Sequence, residues 1–156
     1  MSARLFNSLI LNKFLPYRLS IVNNKISNAL SRTYSKRFDL TPMEWRVLAV
    51  LGENEHMSAD EVCRFTETDK VTVSRAVTKL LRKKRISRKR SNVDRRSLTL
   101  RLTKDGVSTY KAIVPLILQL EDSLVAGLSS YERRQFRELL DKIDLQARSL
   151  ETVSGY

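Results

Sequence analysis

The residues of this chain whose types and spacing support chemistry are cations, and they are crowded into one place. Between Lys70 and Lys104 stand fourteen Lys or Arg residues and one acid, Asp94, a local balance of +13 in a 156-residue chain whose total is +12. The rest of the chain is therefore nearly neutral, and the chemistry on offer is contact with a polyanion at one face. Bond-making chemistry finds no support. One histidine, His56, cannot serve a Ser-His-Asp set, there is no Gly-rich phosphate loop, and the adjacent Glu121 and Asp122 face different ways on a helix. No enzyme is expected. With no second His or Cys beside His56, no metal site and no other cofactor is expected either.

The elements that must position these cations are written in the periodicity. Val73, Ala76, Val77, Leu80 and Leu81 recur at helical spacing and form one apolar stripe. On a wheel of about 100° per residue, Val71, Thr72, Arg75, Thr78, Lys79 and Arg82 lie opposite, with Lys70 and Ser74 at the margins. Arg and Lys there suit guanine O6/N7, Thr and Ser hydroxyls serve either role, and Val71 suits a thymine methyl. The period then changes. Leu98, Leu100 and Leu102 alternate with Ser97, Thr99 and Arg101, as in a half-buried strand. Ahead of it lie the polar Ser87–Ser91, including Arg90, and a turn-like Asn92-Val93-Asp94-Arg95-Arg96. A helix followed by a basic-tipped hairpin is the layout of a winged helix-turn-helix, with the helix in the major groove and the tip, Asp94, Arg95 and Arg96, at phosphates or the minor groove. The plain alternative, a solvated charge run, fits Lys83-Lys84-Arg85 taken alone. A membrane-surface helix would need a broad exposed apolar face, which this helix buries, and no membrane partner is expected.

The rest of the chain reads as helices built around that lobe. Residues 16–37 carry Leu19, Val22, Ile26, Ala29, Leu30 and Tyr34 at spacings of three and four, with Pro16 in the first turn. Thr41-Pro42-Met43-Glu44, Ser58-Ala59-Asp60-Glu61 and Ser129-Ser130-Tyr131-Glu132 each spell a capping box. The first opens a helix ended by Gly52, and the second a short helix carrying Val62 and Phe65, which Thr66-Glu67-Thr68 joins to the recognition helix with Thr68 or Asp69 as cap. Thr103-Lys104-Asp105-Gly106 starts a helix bent at Pro115 and ended by Gly127, and the last helix runs to about Leu150. The expected fold is mainly α with a small β wing: one domain over residues 1–156, with a winged helix-turn-helix lobe at about 40–103 and helical dimerisation regions at 1–38 and 104–150. Those outer helices carry more apolar surface than one lobe can cover, so a homodimer is expected, setting two recognition helices roughly 34 Å apart on a palindromic double-stranded site. The first residues, with Leu9-Ile10-Leu11 followed at once by Asn12 and Lys13, read as neither signal peptide nor membrane span, and the single Cys63 fits a reducing compartment, so a cytoplasmic protein is expected.

In this order, several short motifs resemble the MarR family of bacterial transcription regulators over about Phe14 to Leu150. They are Leu40-Thr41-Pro42 with Glu44-Trp45-Arg46-Val47-Leu48, Asp69-Lys70-Val71-Thr72-Val73-Ser74-Arg75, Asp94-Arg95-Arg96, Leu102-Thr103, Gly106, Gly127-Leu128-Ser129 and Glu132-Arg133. The resemblance implies a dimeric repressor of a palindromic operator released by a small ligand, with Arg96 as a minor-groove arginine and Asp94 orienting it. Two departures stand out: Arg85 where the family usually has Gly after the recognition helix, so that either Arg85 bears the strain of a left-handed cap or the helix ends differently, and Ser87 in place of an apolar strand residue.

The resemblance also implies an effector, commonly an aromatic carboxylate or its coenzyme A thioester, in a cleft that Tyr17, Arg18, Trp45 and Arg46 would line. The same residues also fit a core Trp45 and dimer ion pairs at Arg18 and Arg46. Cys63 admits a redox reading beside that of a half-buried structural thiol. Two further functions stay open: a regulator of the same fold without effector or responsive to Cys63 oxidation, and a sequence-indifferent basic architectural protein.

Overall fold

The computed structural model describes residues 9–90 and 98–153. After a 3-10 turn at Leu11–Lys13, helix α1 (Leu15–Phe38) takes Pro16 into its first turn, where the missing N–H costs nothing. Its packing grows toward the C-terminal end: Ile21, Ile26 and Leu30 are half-buried and Tyr34 is buried, while Leu15, Leu19 and Val22 stay exposed. Helix α2 (Pro42–Glu53) begins with the expected capping box, Thr41 N–H donating to Glu44 Oε2 at 2.7 Å and Glu44 N–H to Thr41 Oγ1 at 3.3 Å. It does not stop at Gly52. The helix continues to Glu53, and Gly52 is where the Tyr110 ring lies against it, 2.6 Å from where a Cβ would sit.

A short strand β1 (Met57–Ser58), absent from the sequence reading, leads into α3 (Ala59–Thr66), again opened by a capping box, Ser58 with Glu61. Val62 is buried as expected, whereas Phe65 points outward at 55% exposure. Helix α4 (Lys70–Arg82) buries Val73, Ala76, Val77 and Leu80. Strands β2 (Ile86–Arg90) and β3 (Leu98–Leu102) pair antiparallel with Ile86 opposite Leu102 and Arg88 opposite Leu100, and the sheet order is β1-β3-β2. Alternation across this register puts Ile86 and Leu100 in the core and Ser87 with Arg101 on the outer face, where Arg101 Nε donates to Ser87 Oγ at 3.3 Å. Ser87 therefore stands on the side of the strand that needs no apolar residue.

The end of α4 resolves the other departure. Lys84, not Arg85, takes the left-handed conformation, at φ 54°. Lys84 N–H donates to Leu81 O and Arg85 N–H to Leu80 O, both at 3.0 Å, which is a Schellman ending with Arg85 one residue beyond the strained position. Arg85 O then accepts from Thr103 N–H at 3.0 Å, while Thr103 Oγ1 caps the Gly106 N–H at 3.0 Å. The backbones meet so closely there that a Cβ on Gly106 would lie 1.9 Å from Arg85 O. Helix α5 (Lys104–Leu124) starts from this junction, contains Pro115 and stops three residues before Gly127; α6 (Ser130–Val153) opens with the Ser129–Glu132 box.

One buried cluster joins Tyr34, Leu40, Val47, Leu48, Leu51, Val62, Val73, Val77, Leu80, Ile86, Leu100 and Ile113. It lies in the first of two compact units, Met1–Ile117; the second is Leu118–Tyr156. In that second unit Phe136, Leu139, Leu140 and Ile143 are all exposed, between 37% and 53%. No helix among the described residues is long and apolar enough to cross a membrane.

Candidate nucleic-acid interface

The reading face is assembled from a cap, a turn and a buried stripe. Asp69 is the cap: its carboxylate accepts from Thr72 N–H at 2.9 Å, and that bond, first among its causes, holds the Asp69 pKa below the usual aspartate value. The turn before it, Glu67 to Asp69, is reversed by Glu67 in the left-handed region at φ 48°. Val62 of α3 and Val73 and Val77 of α4, each 0% exposed, lock the two helices together. The opposite side of α4 is thereby fixed toward solvent.

On that side Val71, Thr72, Ser74, Arg75, Thr78, Lys79 and Arg82 are all exposed. Val71, at 58%, is an apolar side chain left in water on a polar face. Thr78 Oγ1 donates to Ser74 O at 2.8 Å, which orients its lone pairs outward. Lys70 sits at the first position and pairs with Asp60 of α3 at 2.9 Å, a bond that raises the lysine pKa and draws its ammonium toward α3. Among the described residues no acid pairs with Arg75 or Lys79. Their charges are uncompensated on a rigid helix, as contact with phosphates or base edges requires.

The wing adds Arg88 and Lys89 on β2, both exposed and both absent from the sequence-derived set. Period-2 alternation alone does not find both, since adjacent residues lie on opposite faces and Arg88 stands opposite the buried Leu100; the available signal is the cationic run Arg88-Lys89-Arg90 itself. Arg90 closes that strand, and its side chain, with Asp94, Arg95 and Arg96, lies outside the described residues.

The four effector residues do not converge within one chain. Tyr17 and Arg18 occupy the first turn of α1; Trp45 and Arg46 occupy the first turn of α2. Trp45 is half-buried between the Tyr34 ring at 5.7 Å and the Tyr110 ring at 6.0 Å, a ladder joining α1, α2 and α5. Tyr34 is seventeen residues from Tyr17, about 25 Å along the helix axis. Burial raises the Tyr34 pKa and the nearby Arg46 charge opposes it. Two surface depressions near the wing root have other linings: one of about 640 Å³ by Ser87, Arg101, Leu102, Thr103, Lys104 and Val107, and one of about 250 Å³ by Leu51, Gly52, Glu55, His56, Arg101, Leu102 and Val107. Cys63 is half-buried against the core cluster, and no group of residues with metal-binding composition occurs among the described residues.

Comparison with known proteins agrees with this architecture. Residues 38–97 match the profile of the MarR family. The HTH-type transcriptional regulator BilQ of Clostridium symbiosum is 29% identical over 60% of this chain, and the match spans 65% of BilQ, just under two thirds of its length. Among solved structures, a MarR/EmrR family transcriptional regulator from Acinetobacter sp. ADP1 superposes with a TM-score of 0.84 at 25% identity, covering 90% of this chain and 99% of that one. Bordetella bronchiseptica BpsR, whose DNA binding is regulated by 6-hydroxynicotinic acid, superposes with a TM-score of 0.78 at 24% identity, covering 88% and 98%.

Proposed function

Because this chain belongs to the MarR family of transcription regulators, we propose that it is a homodimeric repressor that reads a palindromic operator through α4 and is released by a small aromatic carboxylate or its thioester. The observation that carries this reading is the exposed face of α4, where, among the described residues, Arg75 and Lys79 stand without acidic partners beside Thr72, Ser74, Thr78 and Val71. Major-groove recognition needs bidentate cations, hydroxyls and one small apolar group on a helix that cannot roll, and the fully buried Val73 and Val77 prevent rolling. Arg88 and Lys89 of the wing, with Arg90, Arg95 and Arg96 beyond them in sequence, add phosphate contacts that hold register. Exposed apolar residues on α1 and α6 supply the dimer contact.

The ligand half of the proposal draws on BpsR, whose named regulator is an aromatic carboxylate. In this chain Arg46 beside the Trp45 ladder is the fitting clamp. The distance along α1 means that Tyr17 and Arg18 join it only from a second copy. The test is DNA binding by fluorescence anisotropy on the region upstream of the chain's own gene. Arg75→Ala and Thr72→Ala are each expected to cost about 1–3 kcal/mol of specific binding while sparing random-sequence DNA. A loss equal on both DNAs identifies a sequence-indifferent binder instead. A panel of aromatic acids that leaves the complex intact removes the effector from the reading.

A further inference from the structure

Lys83 lies in the most basic run of the chain, yet its ammonium is directed to acidic groups of α1 and α2. Its side chain is 28% exposed; Nζ donates to Glu44 Oε2 at 3.2 Å and to the Asp39 backbone carbonyl, and it pairs ionically with Asp39 Oδ2 at 3.1 Å. Two of the ammonium's three protons are committed to hydrogen bonds, and a second carboxylate lies against its charge. The contact joins three helix ends, two supplying acceptors and one the donor. Asp39 is the left-handed residue that closes α1, Glu44 is the capping-box residue that opens α2, and Lys83 itself closes α4, its N–H making the last helical bond to Lys79 O at 2.9 Å. Glu44 is 0% exposed, and its Oε2 takes both Thr41 N–H and Lys83 while Oε1 has no partner among the described residues. A buried carboxylate so poorly satisfied needs a cation, and among the described residues Lys83 is the one paired with it.

We propose that Lys83 is a positioning residue for DNA recognition, the tie through which the end of α1 and the start of α2 set the angle of α4. The inference rests on the reading of α4 as the DNA-reading helix. A 13-residue helix is about 20 Å long, so a tilt of about 5° at its tied end moves the opposite turn by about 1.7 Å. Lys70 to Arg75 lie at that opposite end, and a displacement of this size breaks bidentate base contacts. Binding to phosphates in general tolerates it.

The experiment measures dissociation constants for the chain's own upstream DNA and for a random-sequence duplex, across a series of salt concentrations, with melting temperatures alongside. Lys83→Met is expected to weaken the upstream DNA tenfold or more and the random duplex less than twofold, with the salt slope on the random duplex unchanged. Lys83→Arg, which keeps the charge, is expected to recover part of the loss. Should Lys83→Met fail to fold, Glu44→Gln removes the attraction while leaving an acceptor for Thr41 N–H, and the same selective loss is expected. Equal weakening on both duplexes with a salt slope lower by about one makes Lys83 a phosphate contact and overturns the proposal. So does a lower melting temperature with upstream affinity unchanged. Arg75→Ala separates the two layers: if it weakens upstream binding selectively and Lys83→Met does not, only the positioning role falls, whereas if neither affects it the reading of α4 falls too.

Discussion

Glu61, Asp69 and Glu132 each start a helix by accepting a backbone N–H, and each is held below its ordinary pKa of 4.5, 3.8 and 4.5 by that bond first of all. A depressed carboxylate contributes stability that is fully present above its unfolded value and is lost as pH falls through its folded value. The stability from these caps is therefore intact at neutral pH and disappears only below pH 4.5. Glu61→Gln should be less stable than the parent at neutral pH, with the gap narrowing as the solution is acidified through that region. Urea denaturation midpoints at a series of pH values check it, and a gap independent of pH would sink the account. These residues were legible in the sequence because an N-terminal cap is local: a hydroxyl or carboxylate satisfies an N–H three residues away, whatever packs above it. Lys83 was not legible, since it lies thirty-nine residues from Glu44 and reads as one more surface cation in Lys83-Lys84-Arg85.

Helix ends at the other terminus behave differently. Among the described residues, α1, α3 and α4 are followed by left-handed residues, Asp39 at φ 52°, Glu67 at φ 48° and Lys84 at φ 54°, and none of these is glycine. The usual sequence signal for such an ending is Gly, so the sequence offers no marker; of the two endings it leaves open for α4, the helix takes the one that spares Arg85 and turns at Lys84. Gly52, which looked like a stop, lies inside α2 to make room for Tyr110. A Cβ in the left-handed region is strained, so Lys84→Gly should raise stability by about 0.5–1 kcal/mol, the relief being partly offset by the greater freedom of glycine in the unfolded chain. Chemical denaturation measures it. A destabilised Lys84→Gly would mean that the Lys84 side chain makes a contact worth more than the strain.

For the molecule as a whole, the unresolved account is apolar surface. Phe136, Leu139, Leu140 and Ile143 share one stripe of α6 and are exposed, as are Leu15, Leu19 and Val22 on α1. A stripe at helical spacing left in water is costly, and a second copy of the chain is the occupant proposed here. Ile143→Asp, placing a charge in that stripe, should convert a dimer to monomer in sedimentation velocity and weaken operator binding more than tenfold, because two linked half-sites become independent. A parent chain that sediments as a monomer at micromolar concentration removes the dimer.

The sequence by itself determined the helices, their N-terminal caps, the inward stripe of α4 and hence which face carries Thr72, Arg75 and Lys79, because each of these follows from neighbours within about one or two helical turns. It also determined where the charge sits. Tertiary structure alone decided what those residues meet at a distance: β1 pairing with β3, Gly106 pressed on Arg85, Trp45 held between Tyr34 and Tyr110, and Lys83 spent on Asp39 and Glu44 rather than on DNA. The physical reason is range. Periodicity and capping are interactions along the chain, whereas a three-proton ammonium between three helix ends exists only once the core has brought those ends together.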